Sequence, residues 1–257
     1  MNNAPINIDE LPSKGLAYPE DITISVEPIN MRQQMDMDRY GITYEEYYKI
    51  LLEGIHVEGF NKNDLLLYDV QYIDLIRRFF SFDTKSKIIA KDCYCPMVAY
   101  KECDYKTDYE FYANQVTFTE YPEDVFEDID IGSETIKGKE YTFEDGLRVV
   151  VSPLTIKEFT EMMRKTTNKK DVKQSEILLT FYAYATKHIF NREYKDEKAR
   201  REYMINYVGD LYKAKDKDIL LDIEKELNCS VRPFITECPK CGATMEVMVT
   251  PSTTFQQ

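Results

Sequence analysis

Glu237-Cys238-Pro239-Lys240-Cys241-Gly242-Ala243-Thr244-Met245 is the stretch on which the fold reading turns. Cys-x-x-Cys-Gly makes a tight bend in which Gly242 permits a positive φ, so both sulfurs aim at one point where a tetrahedral ion can sit. The residues on either side, Arg232 to Thr236 and Met245 to Val249, favour short strands. A redox Cys-x-x-Cys of thioredoxin type would open a helix after a buried strand, and this one lies between strands. The expectation is a structural zinc site at Cys238 and Cys241.

Two sulfurs do not close such a site. The remaining candidates are Cys93, Cys95, Cys103, Cys229, His56 and His188. Cys93-Tyr94-Cys95 is close enough to act as a pair, with Cys103 as an alternative ligand, whereas Cys229 has no second thiol near it in sequence. The expected set is therefore Cys93, Cys95, Cys238 and Cys241 around Zn2+. Such a metal would clasp the two halves of the chain, and its binding energy would contribute directly to folding. The competing reading is that the cysteines are small buried hydrophobes.

Working outward, the pattern is α+β: helical middle segments, with short antiparallel strands forming a zinc-knuckle-like β portion. Residues 1–30 are expected to be an extended, turn-rich arm, Leu11 to Pro19, and a short strand at Ile22 to Val26. Capping boxes at Asn30/Gln33, Thr43/Glu46 and Thr155/Glu158 mark helix starts. Tyr44, Tyr47, Tyr48, Leu51, Leu52 and Ile55 form one buried face. Asp64 to Phe80 reads as a central helix with a polar stripe at Gln71, Asp74 and Arg78. Lys87 to Tyr121 turns β-favouring, and an acidic loop from Glu123 to Asp130 closes a first half, 31–130. The second half, 131–257, holds a hairpin turning at Asp145-Gly146, helices at Thr155, Ser175–Ile189, Lys198–Tyr212 and Asp216–Leu227, then the Cys-x-x-Cys turn. Ile24-Ser-Val-Glu-Pro-Ile-Asn30 and Val149-Val-Val-Ser-Pro-Leu-Thr155 share the order strand, proline, aliphatic, helix cap. That echo is open to two readings, a duplication or a junction favoured for local reasons.

With 257 residues, 43% hydrophobic and 31% charged, the chain can bury a core without disulfides. A net charge of -13 opposes binding to a phosphate backbone. The basic runs Arg164–Lys173 and Lys195–Arg201 are interleaved with acidic or polar residues and read as solvated helix ends. No uncharged run approaches the roughly 20 residues of a membrane span, and Met-Asn-Asn-Ala-Pro-Ile-Asn lacks the pattern of a signal peptide. A soluble protein made in a cytoplasm is expected, where six cysteines are thiols or ligands and not disulfides. Its 20 tyrosines and no tryptophan suit protein interfaces.

Catalysis has no signature here. His56 is expected to follow a helix end and His188 to sit on a helix stripe, both as packing or capping residues. GxGxxG, P-loop, GxSxG and HExxH motifs are absent. The acidic group Glu123, Asp124, Glu127, Asp128 and Asp130 lacks EF-hand spacing.

The arm Leu11-Pro-Ser-Lys-Gly-Leu-Ala-Tyr-Pro19, the strand entering Pro28-Ile29, and the terminal Cys-Pro-Lys-Cys-Gly followed by Thr250-Pro-Ser-Thr-Thr-Phe255 resemble the small baseplate hub proteins of T4-type contractile-tailed bacteriophages. In that family a Leu-Pro-Ser-x-Gly arm and Cys-x-x-Cys-Gly knuckles flank a helical middle; here Cys93-x-Cys95 stands where an upstream Cys-x-x-Cys is expected. The resemblance implies a non-catalytic virion component of the tail baseplate, in its hub or inner wedge, made in the host bacterial cytoplasm. Its partners would be other baseplate, hub and tail proteins, with no nucleic acid, membrane or small-molecule substrate. Leu11, Pro12, Lys14, Gly15, Tyr18 and Pro19 of the arm would contact a neighbour. The rivals are a hub assembly chaperone absent from the mature virion and a zinc-ribbon protein of transcription or replication.

Overall fold

The structure, a computed structural model of the chain, describes residues 3–81, 87–112, 116–167, 173–211 and 213–247. It is a mixed α+β architecture with seven α-helices and several small antiparallel sheets among the described residues. Two compact units divide it, and neither follows the expected sequential halves. One comprises Met1–Asp74 and Glu120–Cys229, the other Leu75–Thr119 and Ser230–Gln257.

In the first unit the elements begin β1 (Ala4–Pro5), β2 (Thr23–Val26), α1 (Met31–Met37), α2 (Tyr44–Glu53), β3 (Ile55–Glu58) and α3 (Leu67–Ser81), whose last residues belong to the second unit. The second unit follows with β4 (Lys87–Tyr94) and β5 (Lys106–Tyr112). The first resumes with β6 (Glu127–Asp130), β7 (Thr135–Thr142), β8 (Arg148–Val151), α4 (Ile156–Thr167), α5 (Gln174–Ala185), β9 (Thr186–Ile189), α6 (Glu197–Gly209) and α7 (Ala214–Leu227). Strands β10 (Phe234–Glu237) and β11 (Thr244–Val247) complete the second.

All three capping boxes form. Asn30 Oδ1 accepts from the Gln33 amide at 2.9 Å and opens α1, Thr43 and Glu46 exchange the same bonds before α2, and Thr155 and Glu158 do so before α4. Each box satisfies two of the amides a helix start leaves without partners. In both places where the sequence echoes itself, a strand leads into a pair of helices and the chain returns on an antiparallel strand. Thus β2 and β3 enclose α1 and α2, and β8 and β9 enclose α4 and α5, in sheets of order β1-β2-β3 and β6-β7-β8-β9. Tyr44 and Tyr48 of α2 meet Phe159 of α4 edge-on, at centroid distances of 5.5 and 5.8 Å. The β7–β8 turn spans Phe143 to Leu147, with Gly146 at φ 87° and Asp145 Oδ1 accepting from the Leu147 amide at 2.9 Å.

Several elements differ from expectation. The helix expected over Ser175–Ile189 ends at Ala185, and Thr186–Ile189 pairs with β8 instead, placing His188 opposite Val150. β-Branched Thr186 and Ile189 suit a strand, and pairing with buried Val149–Val151 overrides the helical continuation. His56 does follow a helix end, that of α2, but lies on β3, where it pairs with Glu27 at 2.8 Å. The acidic loop closes in a strand, β6, and Asp124 binds Lys139 at 2.6 Å.

The arm is not an extended tether. A 3-10 turn at Ile8–Glu10 leads into tight turns, and Leu11, Pro12, Ser13 and Tyr18 are buried. Asp69, fully buried on α3, accepts from the Ser13 amide at 2.9 Å, the Ser13 hydroxyl at 2.5 Å and the Tyr18 hydroxyl at 2.6 Å. The Tyr18 oxygen in turn accepts from the Leu66 amide at 3.0 Å, and the Pro12 carbonyl accepts from the Tyr121 amide at 3.0 Å. Lys14 and Gly15 turn through positive φ, 51° and 76°, and a Cβ at Gly15 would lie 2.4 Å from Ile8 Cγ2, so only glycine fits. Of the six arm residues expected to touch a neighbour, Leu11, Pro12 and Tyr18 are therefore spent inside the chain; Lys14 and Pro19 are exposed and Gly15 half-buried. No helix among the described residues is long and apolar enough to cross a membrane.

Candidate metal centre

Among its described residues the second unit contains two β-hairpins, each with two cysteines where its strands meet. In the β10–β11 hairpin, the Cys238 amide donates to the Ala243 carbonyl and the Gly242 amide to the Cys238 carbonyl, both at 2.8 Å, with Gly242 at φ 73°. This is the tight bend expected of the Cys-x-x-Cys-Gly stretch. In the β4–β5 hairpin, Cys95 follows the last residue of β4, and its amide donates to the Tyr105 carbonyl at 3.0 Å. Pro96 then starts a 3-10 turn, Lys101 takes φ 59°, and the chain returns through Cys103. The Tyr105 amide points at the Cys103 sulfur, 3.4 Å away.

The four sulfurs of Cys95, Cys103, Cys238 and Cys241 lie within 4.8 Å of one another. Cys95 Sγ is 3.5 Å from Cys241 Sγ, and Cys103 Sγ is 3.8 Å from Cys238 Sγ. A disulfide would bring sulfurs to about 2.05 Å. Four thiolates bound tetrahedrally at about 2.3 Å stand about 3.8 Å apart, so the spacing fits four ligands sharing one ion. Cys95, Cys103 and Cys238 are buried and Cys241 is exposed. Met97, Val98, Tyr105, Tyr109, Ala243 and Met245 pack around them, and Lys240 and Asp104 form an ion pair between the two loops.

Electrostatics differ from one thiol of the cluster to the next. Burial, reinforced by the three neighbouring thiols, pushes the Cys95 thiol up to about 12. At Cys238 burial also opposes ionisation, but the Lys240 and Cys241 amides and the thiols of Cys241 and Cys95 together outweigh it and bring the group down to about 7. A divalent ion at the centre of the four sulfurs would draw off their protons.

The clustered set departs from the first expectation at one position and takes the alternative cysteine there. Cys103 stands where Cys93 was expected. Cys93 sits within β4 opposite Thr107 and packs with Val116, Val247, Tyr109 and Phe234 in a separate apolar cluster. The two-residue spacing of Cys93 and Cys95 suggested a pair, but only Cys95 lies past the end of the strand, in the turn. A signal for the right choice was present: Cys95-Pro96 repeats Cys238-Pro239, each cysteine entering a turn with proline next. The cluster also bears on the clasp. Two of the clustered cysteines come from each sequential half, as the clasp requires, but all four lie in one compact unit, so the ion would join two hairpins within that unit. Cys229 is buried in the other unit. Neither histidine belongs to the cluster; His188 stacks edge-on against Phe190 at 4.9 Å. Among the described residues no other group of three or more cysteine, histidine or acidic side chains is placed to hold a metal.

Compared with known proteins, the chain matches no family model, no curated protein and no solved structure.

Proposed function

We propose that the four cysteines hold a structural Zn2+ ion, which makes each hairpin a zinc knuckle, and that the chain is a non-catalytic structural subunit of a contractile-tailed phage baseplate, in its hub or inner wedge. The observation that carries the metal reading is the closed, all-sulfur set of four ligands. It leaves no coordination position for water or substrate, as structural zinc requires and catalytic zinc does not allow. The baseplate reading is supported by the Leu-Pro-Ser-x-Gly arm and the terminal Cys-x-x-Cys-Gly stretch, together with the acidic, tyrosine-rich composition. With much of the arm engaged inside the chain, its contact with a neighbour falls to the exposed Lys14, Leu16 and Pro19.

Thiolate sets of this kind also suit iron, and elemental analysis of purified protein separates the two. One equivalent of zinc is expected; a coloured, iron-loaded protein would sink the zinc assignment. Electron microscopy of particles made without this chain should find tails lacking baseplates, and normal tails would overturn the baseplate role. Mass spectrometry of purified virions then decides between a resident subunit and an assembly chaperone that departs.

A further inference from the structure

Of the six cysteines only Cys241 is exposed. It sits in the β10–β11 turn after Lys240, whose ion pair with Asp104 is itself open to solvent. The other three members of the cluster, Cys95, Cys103 and Cys238, are buried. Cysteine oxidation follows access as well as thiolate character, so an oxidant arriving from solvent meets Cys241 first.

Separations within the cluster then assign its partner. Cys241 Sγ stands 3.5 Å from Cys95 Sγ, while Cys103 Sγ faces Cys238 Sγ at 3.8 Å. Each of these pairs crosses from one hairpin to the other. A disulfide holds its sulfurs at about 2.05 Å, so joining Cys95 to Cys241 asks for about 1.5 Å of approach. Both residues lie in turns, past the ends of β4 and β10, where side-chain rotation can supply that movement without drawing on a strand ladder.

We propose that the cluster is a peroxide-sensitive site in which Cys241 is oxidised and Cys95 resolves it, leaving a disulfide between the two hairpins in place of the ion. This inference rests on the reading of the four cysteines as zinc ligands. The Cys241 thiolate attacks hydrogen peroxide: an S–O bond forms, the O–O bond breaks, hydroxide leaves and the sulfur becomes a sulfenic acid. The Cys95 thiolate then attacks that sulfur: an S–S bond forms, the S–O bond breaks and a second hydroxide leaves. Two thiolates have given up two electrons, and one peroxide has been reduced to two hydroxides. Cys103 and Cys238 remain, two ligands where a structural zinc needs four, too few to keep it. The disulfide joins residues 146 positions apart and ties the same two hairpins that the ion tied. Reduction by a dithiol returns both thiolates and with them the metal site.

The test is titration of the zinc-loaded full chain with hydrogen peroxide. Released zinc is followed with a chromogenic chelator against a peroxide-free control, and disulfides are mapped by mass spectrometry of unreduced peptides at half release. One zinc should leave per peroxide consumed, with Cys95–Cys241 the first and major crosslink. Dithiothreitol and added zinc should then restore the full equivalent. The inference fails if the first disulfide lies within one hairpin, as Cys95–Cys103 or Cys238–Cys241. It fails equally if the sulfurs pass to sulfinic acid without a crosslink, or if peroxide leaves the zinc in place. Zinc content before peroxide is added judges the metal reading separately: a chain that purifies without zinc and takes up none overturns that reading and this inference with it, whereas a zinc-loaded chain that forms the wrong disulfide overturns the inference alone.

Discussion

Asp69 is fully buried and accepts from three donors. Burial raises its carboxyl pKa to about 6, even though the Ser13 hydroxyl, the Tyr18 hydroxyl and the Ser13 amide all pull the other way. An unfolded chain would release this proton near 3.8. Between those values the folded state holds the proton and the unfolded state does not, so the contribution to stability is complete below about pH 4 and is lost as pH rises through 6. A shift of about two pH units corresponds to on the order of 3 kcal/mol. Urea unfolding of wild type and D69N across pH 4 to 7 should therefore show the gap between them moving by about that amount in favour of the variant. A gap that stays constant over that range would refute the assignment. Nothing in the sequence marks Asp69, because its partners lie more than 50 residues away. The Leu-Pro-Ser-x-Gly-x-x-Tyr stretch itself was legible as unusual. Its purpose was not: a run of prolines and a glycine looks like a tether until the side chain that anchors it is known.

At the level of elements, the features set by neighbouring residues were legible and those set by distant pairing were not. Capping boxes are local hydrogen bonds and formed where the spacing put them. The end of α5 was invisible because pairing with β8 decides it. Cysteine choice follows the same division. Cys238 and Cys241 are three positions apart in one bend, whereas the upstream pair depends on where β4 stops and on a long loop between Cys95 and Cys103. The loop's two ends are held by the Cys95–Tyr105 backbone bond, so either ligand lost opens a tetrahedral site. C103S should accordingly lose zinc, or bind it at least about tenfold more weakly, while C93S keeps a full equivalent. Elemental analysis after gel filtration reads the difference directly. Full zinc in C103S, or its loss in a folded C93S, would return the argument to the Cys93–Cys95 pair.

Across the whole molecule, a similar succession occurs twice. Strand, two helices and antiparallel strand are followed by one helix and a cysteine hairpin from β2 to β5, and by two helices and a cysteine hairpin from β8 to β11. Each hairpin supplies two sulfurs, half of what a tetrahedral ion needs. Hence neither copy of the pattern completes a site, and the two hairpins meet in one unit although the chain reaches them far apart. Isolated two-stranded hairpins are marginal in water, and the second unit has just two of them among its described residues, with small apolar clusters around Val116 and around the cysteines. A structural zinc ion contributes on the order of 10 kcal/mol or more to such a fold. The helices α1, α2, α4, α5, α6 and α7 all lie in the other unit, which has its own buried core. Chelation should therefore unfold the hairpin unit alone. Calorimetry is expected to lose one of two transitions on adding a strong chelator, with the helical circular dichroism signal largely kept and proteolysis confined to residues 87–112 and 230–247. Loss of the helical signal in the same step would show that the ion stabilises the chain as a single cooperative body, and an unchanged thermogram would show that the cysteine cluster folds without it.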